Sequence, residues 1–399
     1  MSLTFVKSQT LYELNSQGDE IEIGNELSKW KKEVEHVKIF GLGESNHSVG
    51  TTFKAKVSMV KYLHDSLGVD VIAFESGMYD CKKINDSFND TLNTSSVNFF
   101  KGLWGVWRSE EVRELYNYIS SKPKQNRPEI IGIDIQLLTH SKEKIAYEYV
   151  ELSDTLNSYN KNVPVNDTLL FQLLEKAARY SNTYAKLSKS DTTILGEKLR
   201  MIESVIESNG LDTTEYFSFF KRMSKNIRVD IIRRYYPKIM MRDSMMYENL
   251  LWFVKNNPNK KIAVWAATSH LFYNTDSVGN KDYNFVSMGE HLRKKFGDSY
   301  YVIAFTPHSG RGGWKKSGLL SYRIKKPRKK SLEYHINNVS DSDYVLFPLE
   351  DNIEWIKKNR ITKTKFFWRK EIKMIPYAVS DAAFYIKKMQ SPNYIKKNK

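Results

Sequence analysis

Short apolar runs rich in β-branched residues recur along the chain, separated by stretches of a different period. Residues 37–41, 69–74, 130–135, 261–266, 300–305 and 344–347 read as buried strands of a parallel sheet. Between them apolar positions fall three and four apart. Phe53, Val57, Val60 and Leu63 predict a helix over 53–67, and 110–119 and 239–253 carry the same signal. Strands alternating with helices predict an α/β fold: a central, mostly parallel sheet flanked by helices in three layers, with right-handed crossovers.

The alternation breaks between Thr139 and Pro237. Strand signals vanish there, and the segment is polar and helical, with FQLLEKAARY near its start and EYFSFFKRM near its end. We read it as a helical insertion over the strand carboxyl ends. The expected organisation is residues 1–138 as the first part of the α/β core, 139–237 as the insertion, and 238–399 as the second part with C-terminal strands. No internal repeat or long linker interrupts it.

Composition narrows the class. The chain has 399 residues and a formal charge of +16. The lysines are spread throughout, and the densest block is WKKSGLLSYRIKKPRKK at 314–330. We read this block as a solvated loop or edge hairpin, with an anionic partner as the alternative. No zinc knuckle, RNP-like strand or helix-turn-helix signal accompanies it, so no nucleic-acid partner is expected. No run approaches the ~18 apolar residues of a membrane span, so no membrane partner is expected. MSLTFVKSQT lacks the basic and apolar regions of a signal peptide. Cys81 is the one cysteine, which excludes an internal disulfide and a thiolate-rich metal site. The expected location is the cytoplasm, and the sequence is silent on oligomeric state.

Candidate chemistry collects where strands end. Glu44 and His47 leave the first run in GLGESNHS, Glu75 ends the second in VIAFESG, and Asp134 and Gln136 end the third in IGIDIQ. Ser269 and His270 follow the fourth in VWAATSH, and His308 follows the fifth in AFTPHSG. The carboxyl ends of parallel strands form the ligand crevice of an open α/β sheet. Repeated polar groups there are poor core design, because an unpaired buried charge is costly. A carboxylate beside an imidazole fixes its tautomer and raises its basicity, so proton transfer is the chemistry these groups share. Glu75, at the end of an apolar strand, is expected to accept hydrogen bonds from His47 or a backbone amide. Gly41-x-Gly43 lacks the third glycine of a dinucleotide loop, and neither GxxxxGK[ST] nor HExxH occurs. Gly43–His47 imitates a G-x-S-x-G elbow, but a histidine stands at its last glycine, so Ser45 reads as a turn residue. His47, His270, Glu44 and Glu75 are metal-capable only as a long-range set, and no metal or cofactor is assigned.

In this order the segments resemble the erythromycin esterase-like proteins, which include succinoglycan biosynthesis homologues. GLGESNHS resembles that family's G-E-x-x-H-G signature, and FESG its second-strand glutamate, at Glu75. MRDSMMYEN resembles R-D-x-x-M-x-x-N, giving Arg242, Asp243 and Asn249. VWAATSH resembles the W-A-H-N-x-H strand end, and SMGEHLRKKFGDSYYVIAF, KKSLEYHI and VSDAAFYIKK its later segments. The resemblance spans roughly Val34 to Asn393. It implies metal-independent hydrolysis of a macrolide lactone, with the histidine matching His47 activating water between carboxylates matching Glu44 and Glu75. The basic residue matching Lys56 would stabilise charge on the carbonyl oxygen.

This chain departs from the pattern at four places. Lys56 stands for arginine, Ser48 for glycine, and Ala267 and Thr268 for the histidine and asparagine of W-A-H-N-x-H. A methyl group at 267 cannot donate a hydrogen bond or move a proton. The expectation is therefore an ester- or lactone-cleaving hydrolase acting on a small molecule. His47, Glu44 and Glu75 are its catalytic residues; Lys56, His270 and Arg242 bind substrate. The alternatives are a tailoring transferase or lyase using the same pocket, and a small-molecule binding protein without turnover.

Overall fold

The computed structural model describes residues 11–17, 20–89, 96–137, 142–159, 167–179, 187–235, 239–283, 285–313, 321–350, 353–367 and 370–395. Its strands, in chain order, are β1 (Tyr12–Gln17), β2 (Glu20–Glu22), β3 (Ile39–Glu44), β4 (Val69–Gly77), β5 (Glu129–Asp134) and β6 (Lys261–Ala267). They continue with β7 (Tyr300–Gly312), β8 (Tyr322–Ile324), β9 (Tyr344–Pro348), β10 (Thr362–Thr364), β11 (Ile372–Met374) and β12 (Ala382–Met389). The chain divides into two compact units: Met1–Ala73, Gly105–Glu129 and Asn257–Lys399 form one, and Phe74–Trp104 with Ile130–Asn256 the other.

The first unit is built on a mixed, mostly parallel sheet flanked by helices. Its strands run β2-β1-β9-β12-β7-β3-β6, followed by the first half of β4. β12, β7, β3 and β6 are mutually parallel, and the register sets Glu44 level with Phe305 on β7 and Ala267 on β6. β9, read above as parallel, is antiparallel to both β12 and β1. A run buried on both faces looks the same in either direction, so pattern alone does not fix orientation.

The helix Gly50–Leu67 returns the chain from β3 to β4. It ends at Gly68, whose φ of 68° is left-handed and whose N–H caps the carbonyl of Leu63. Gly43 is required by close approach: a Cβ there would lie 2.9 Å from Thr268 Oγ1 and 3.1 Å from Thr268 Cα. Of the basic block at 314–330, residues 314–320 lie outside the described residues. Tyr322–Ile324 forms β8, an antiparallel ribbon with the end of β7.

In the second unit the end of β4 neighbours β5, and the described part of 139–237 is helical: Lys142–Asn157, Thr168–Arg179, Lys189–Ser208 and Glu215–Arg233. These helices share one apolar core. On Thr168–Arg179, Leu170, Leu173, Leu174, Ala177 and Ala178 form the buried stripe at spacings of three and four. A capping box opens Lys189–Ser208: the Ser188 hydroxyl accepts from Asp191 N–H at 2.9 Å, and the Asp191 carboxylate from Ser188 N–H at 3.3 Å. Among the described residues no helix is long and apolar enough to cross a membrane.

Candidate functional site

Two strand ends carry ionised networks, one in each unit. In the first unit β3 runs to Glu44, three residues beyond the run read from sequence, so Glu44 is the strand's last residue. Its carboxylate is 1% exposed and has three named donors. His47 Nδ1 lies 2.5 Å from Oε1, and Trp107 Nε1 donates to the same oxygen at 2.9 Å. Lys56 Nζ donates to Oε2 at 2.8 Å. Burial alone would raise the Glu44 pKa. The Lys56 ammonium, then the hydrogen bond and charge of His47, outweigh burial and hold it below the ordinary carboxylate value. Glu44 is therefore an ionised acceptor. It follows that Nδ1 of His47 carries the proton facing it.

The His47 side chain is one-third exposed, at 33%, and its ring meets Trp107 edge-on at 5.7 Å. Lys56 is fully buried. Beyond Glu44 it donates to Ala266 O at 3.4 Å, and its ammonium stands 4.4 Å above the Trp265 ring. Its named contacts are thus Glu44, Ala266 O and the Trp265 ring. The turn after β3 is fixed locally: Asn46 Oδ1 accepts from Ser48 N–H at 2.9 Å, and the Ser48 hydroxyl lies 2.8 Å from Tyr322 OH. His270 belongs to the same unit, 8% exposed on the short helix Thr268–Leu271 after β6.

His308 corrects its sequence reading. It lies inside β7, which runs on to Gly312, and does not follow the strand. Burial, then the charges of Lys365 and Lys326, push its pKa down to about 4, so it is neutral at pH 7.

In the second unit Arg242 joins Glu75 and Asp134. It grips Asp134 with two donors, Nε at 3.0 Å and Nη2 at 2.7 Å, and reaches Glu75 Oε1 at 2.8 Å. Burial disfavours the guanidinium charge, but Asp134 and then Glu75 overcome it and hold Arg242 firmly protonated. Ile135 N–H also donates to Asp134 at 2.7 Å, and Asn249, on the helix Ile239–Asn256 that carries Arg242, fastens that helix to β5 by donating to Ile133 O at 2.9 Å. Glu75 thus has an arginine donor that the sequence reading did not name. Arg242 carries a structural load as well as its charge.

Trp107 was absent from the sequence reading. It sits on the 3-10 turn Gly105–Trp107, and an apolar GLWGVW segment gives no local sign that one indole will donate to a distant carboxylate. Among the described residues no three His, Cys, Asp or Glu side chains converge as metal ligands would.

Comparison with known proteins places this geometry in context. The family profile described as erythromycin esterase matches residues 64–373, a span that begins after the Glu44–His47 turn. YbfO of Bacillus subtilis (strain 168), provisionally named a hydrolase, is 28% identical over 312 residues, covering 70% of this chain and 67% of its own. Erythromycin esterase type I of Escherichia coli is 22% identical over 311 residues, covering 71% and 73%. Among solved structures, a Bacillus cereus protein superposes with a TM-score of 0.76 at 20% identity over 97% of both chains. A variant of the erythromycin esterase EreC in its open conformation gives 0.71 at 16% identity, covering 97% of this chain and all of that one.

Proposed function

The chain belongs to the erythromycin esterase family, and on that premise we propose that it hydrolyses a carboxylic ester or lactone, with His47 as general base. The observation that carries this reading is the ionised, fully buried Glu44 bonded at 2.5 Å to Nδ1 of a partly exposed histidine. With the Nδ1 proton directed at Glu44, Nε2 of the neutral ring is the atom we assign to take a proton from water. The resulting hydroxide equivalent adds to the acyl carbon, and the imidazolium then returns its proton to the departing alkoxide. Glu44 stays ionised throughout and stabilises the imidazolium between the two transfers.

Lys56 and Trp107 support the base indirectly. Lys56 keeps Glu44 charged, and Trp107 holds the oxygen that faces His47. The register sets Glu44 level with Ala267, three residues before His270, so His270 is the group we assign to the substrate's carbonyl oxygen. We give no proton-transfer step to Glu75 or Arg242, which are bonded to each other within the Arg242–Glu75–Asp134 network.

The test compares wild type with His47→Ala on a panel of nitrophenyl esters and macrolide lactones. General-base catalysis is worth roughly 10²–10⁴-fold, and a loss of that size in kcat/KM is expected. Hydrolysis in ¹⁸O-labelled water should place one label in the acid product. An undiminished His47→Ala variant, or turnover without label, overturns the reading.

A further inference from the structure

We infer that the cavity at the carboxyl ends of β7 and β12 binds a small organic polyanion, a phosphorylated metabolite carrying at least two phosphate-type charges. The cavity lies wholly in the first unit and has a volume of about 1180 Å³. Arg311, Arg323, Lys326, Lys387 and Lys388 line it, against Asp343 as the one carboxylate among the described residues of its wall. His47, Glu44, Lys56 and His270 are not part of this lining, so the inference does not rest on the hydrolase reading.

The strand register concentrates the charge. Arg311 on β7 is directly opposite Arg323 on β8, and Lys388 on β12 is opposite Ser309. Ser309 and Arg311 are two apart, so these cations share one face of the ribbon. Like charges placed directly across a strand pair destabilise a sheet. Nothing among the described residues relieves them: Arg311, Arg323, Lys326 and Lys388 have no carboxylate partner there. Lys387 donates to a carbonyl, Asp341 O, at 2.7 Å.

Beneath the cations, Glu333 and Glu371 act on the buried Lys365 alone among the named cations, and Glu333 is already engaged by Thr306, Thr364 and the Lys365 N–H. His308 contributes a neutral ring, and the buried Lys365 adds a further cation, its Nζ donating to His308 O at 2.6 Å and Lys325 O at 2.7 Å. A concave site lined by one sign of charge focuses its field on an opposite ion. Two guanidinium forks match phosphate oxygens in pairs. The volume of about 1180 Å³ lies just above the roughly 300–1,000 Å³ of ordinary organic-molecule sites, and a lone inorganic ion would leave it mostly empty.

Calorimetric titration at low salt with inorganic pyrophosphate and with ADP tests the inference. Wild type should bind both, more weakly as salt rises, and pyrophosphate should raise its Tm. Arg311→Gln/Arg323→Gln should weaken binding at least about 10-fold, which is about 1.4 kcal/mol. Without ligand, Arg323→Gln alone should melt no lower than wild type, because it removes a repulsive pair. If the double variant does not fold, Lys388→Gln gives the same reading through its weaker binding. His47→Ala should bind both probes as wild type does, which separates this result from the fate of the hydrolase reading. Absence of both heat and Tm shift in wild type overturns the inference. So does undiminished binding in the charge variants, or a DNA duplex that displaces pyrophosphate at lower concentration.

Discussion

Glu44 shows how one residue can set the chemistry of another. A carboxylate at 1% exposure survives as an anion only because donors surround it, and here they divide between its two oxygens. Lys56 takes Oε2, while His47 and Trp107 share Oε1. Trp107 therefore competes with the imidazole for the same charge. Removing the indole N–H should concentrate that charge on His47 and favour its protonated form. In Trp107→Phe we expect the acid limb of the kcat/KM profile to move to higher pH and activity at neutral pH to fall about 10-fold. Stability should drop by about 1.5–3 kcal/mol, the worth of a hydrogen bond to a charged group. A pH profile measured beside a denaturant melt separates the two effects. A profile that keeps its acid limb in place would leave Trp107 with a packing role alone. The lysine at 56 fits the same logic: a compact ammonium suffices to balance one oxygen, where an arginine fork would present more donors than Oε2 and Ala266 O together accept.

At the scale of elements, the piece that carries His270 is held from behind. Ser287 caps the helix Met288–Phe296, accepting from Glu290 N–H at 3.0 Å, and its hydroxyl donates to Phe272 O. Two residues on, Gly289 packs so closely that a Cβ would stand 1.9 Å from Leu271 O and 2.3 Å from Phe272 O. Gly289→Ala must therefore displace the backbone directly after His270. We expect it to cost about 1–3 kcal/mol or more, the range for overpacking, and to lower kcat/KM further than the loss of folded protein explains. Gly297→Ala is the control at the cap of the same helix: its φ of 53° makes the change strained by about 1–3 kcal/mol, but nothing stands within 4 Å of the new Cβ. Activity per folded molecule should survive it. Much at this scale is legible in sequence. All six apolar runs are strands; Glu44 and Asp134 close theirs and His270 follows β6 as read, whereas Glu75 stands two residues inside β4 and His308 inside β7. What local pattern hides is direction and length. β9 is antiparallel, β7 continues past His308, and β12 goes unread because AAFYI ends in two lysines and is too short for its period to separate strand from helix. The partners of Glu75 and Glu44 are equally hidden, since Arg242 and Trp107 lie 167 and 63 residues away.

At the scale of the whole molecule, the chain crosses between its units several times, and Phe74–Trp104 joins Ile130–Asn256 with no local signal that it should. Stability is best read there, because titrating groups throughout the chain add to one folding equilibrium. Two histidines of the first unit bind protons poorly when folded. His308 is pushed to about 4 by burial and by Lys365 and Lys326, and His335, stacked on Trp355 at 4.2 Å, to about 4 by burial. In the unfolded chain both return towards 6.5. Between those values the unfolded chain holds more protons than the folded one, so stability rises with pH across that window. Their contribution is complete above about pH 6.5 and is lost as pH falls to about 4. Glu44 acts in the same sense at lower pH, because its folded pKa lies below the ordinary carboxylate value and acid removes its contribution last. Calorimetric Tm measured at constant ionic strength should therefore decline steadily from pH 6.5 to 4. His335→Gln should flatten part of that decline while starting from a lower Tm at pH 7, since the stack on Trp355 is disturbed. Equal slopes for His335→Gln and wild type would mean that the buried ring already titrates near its ordinary value.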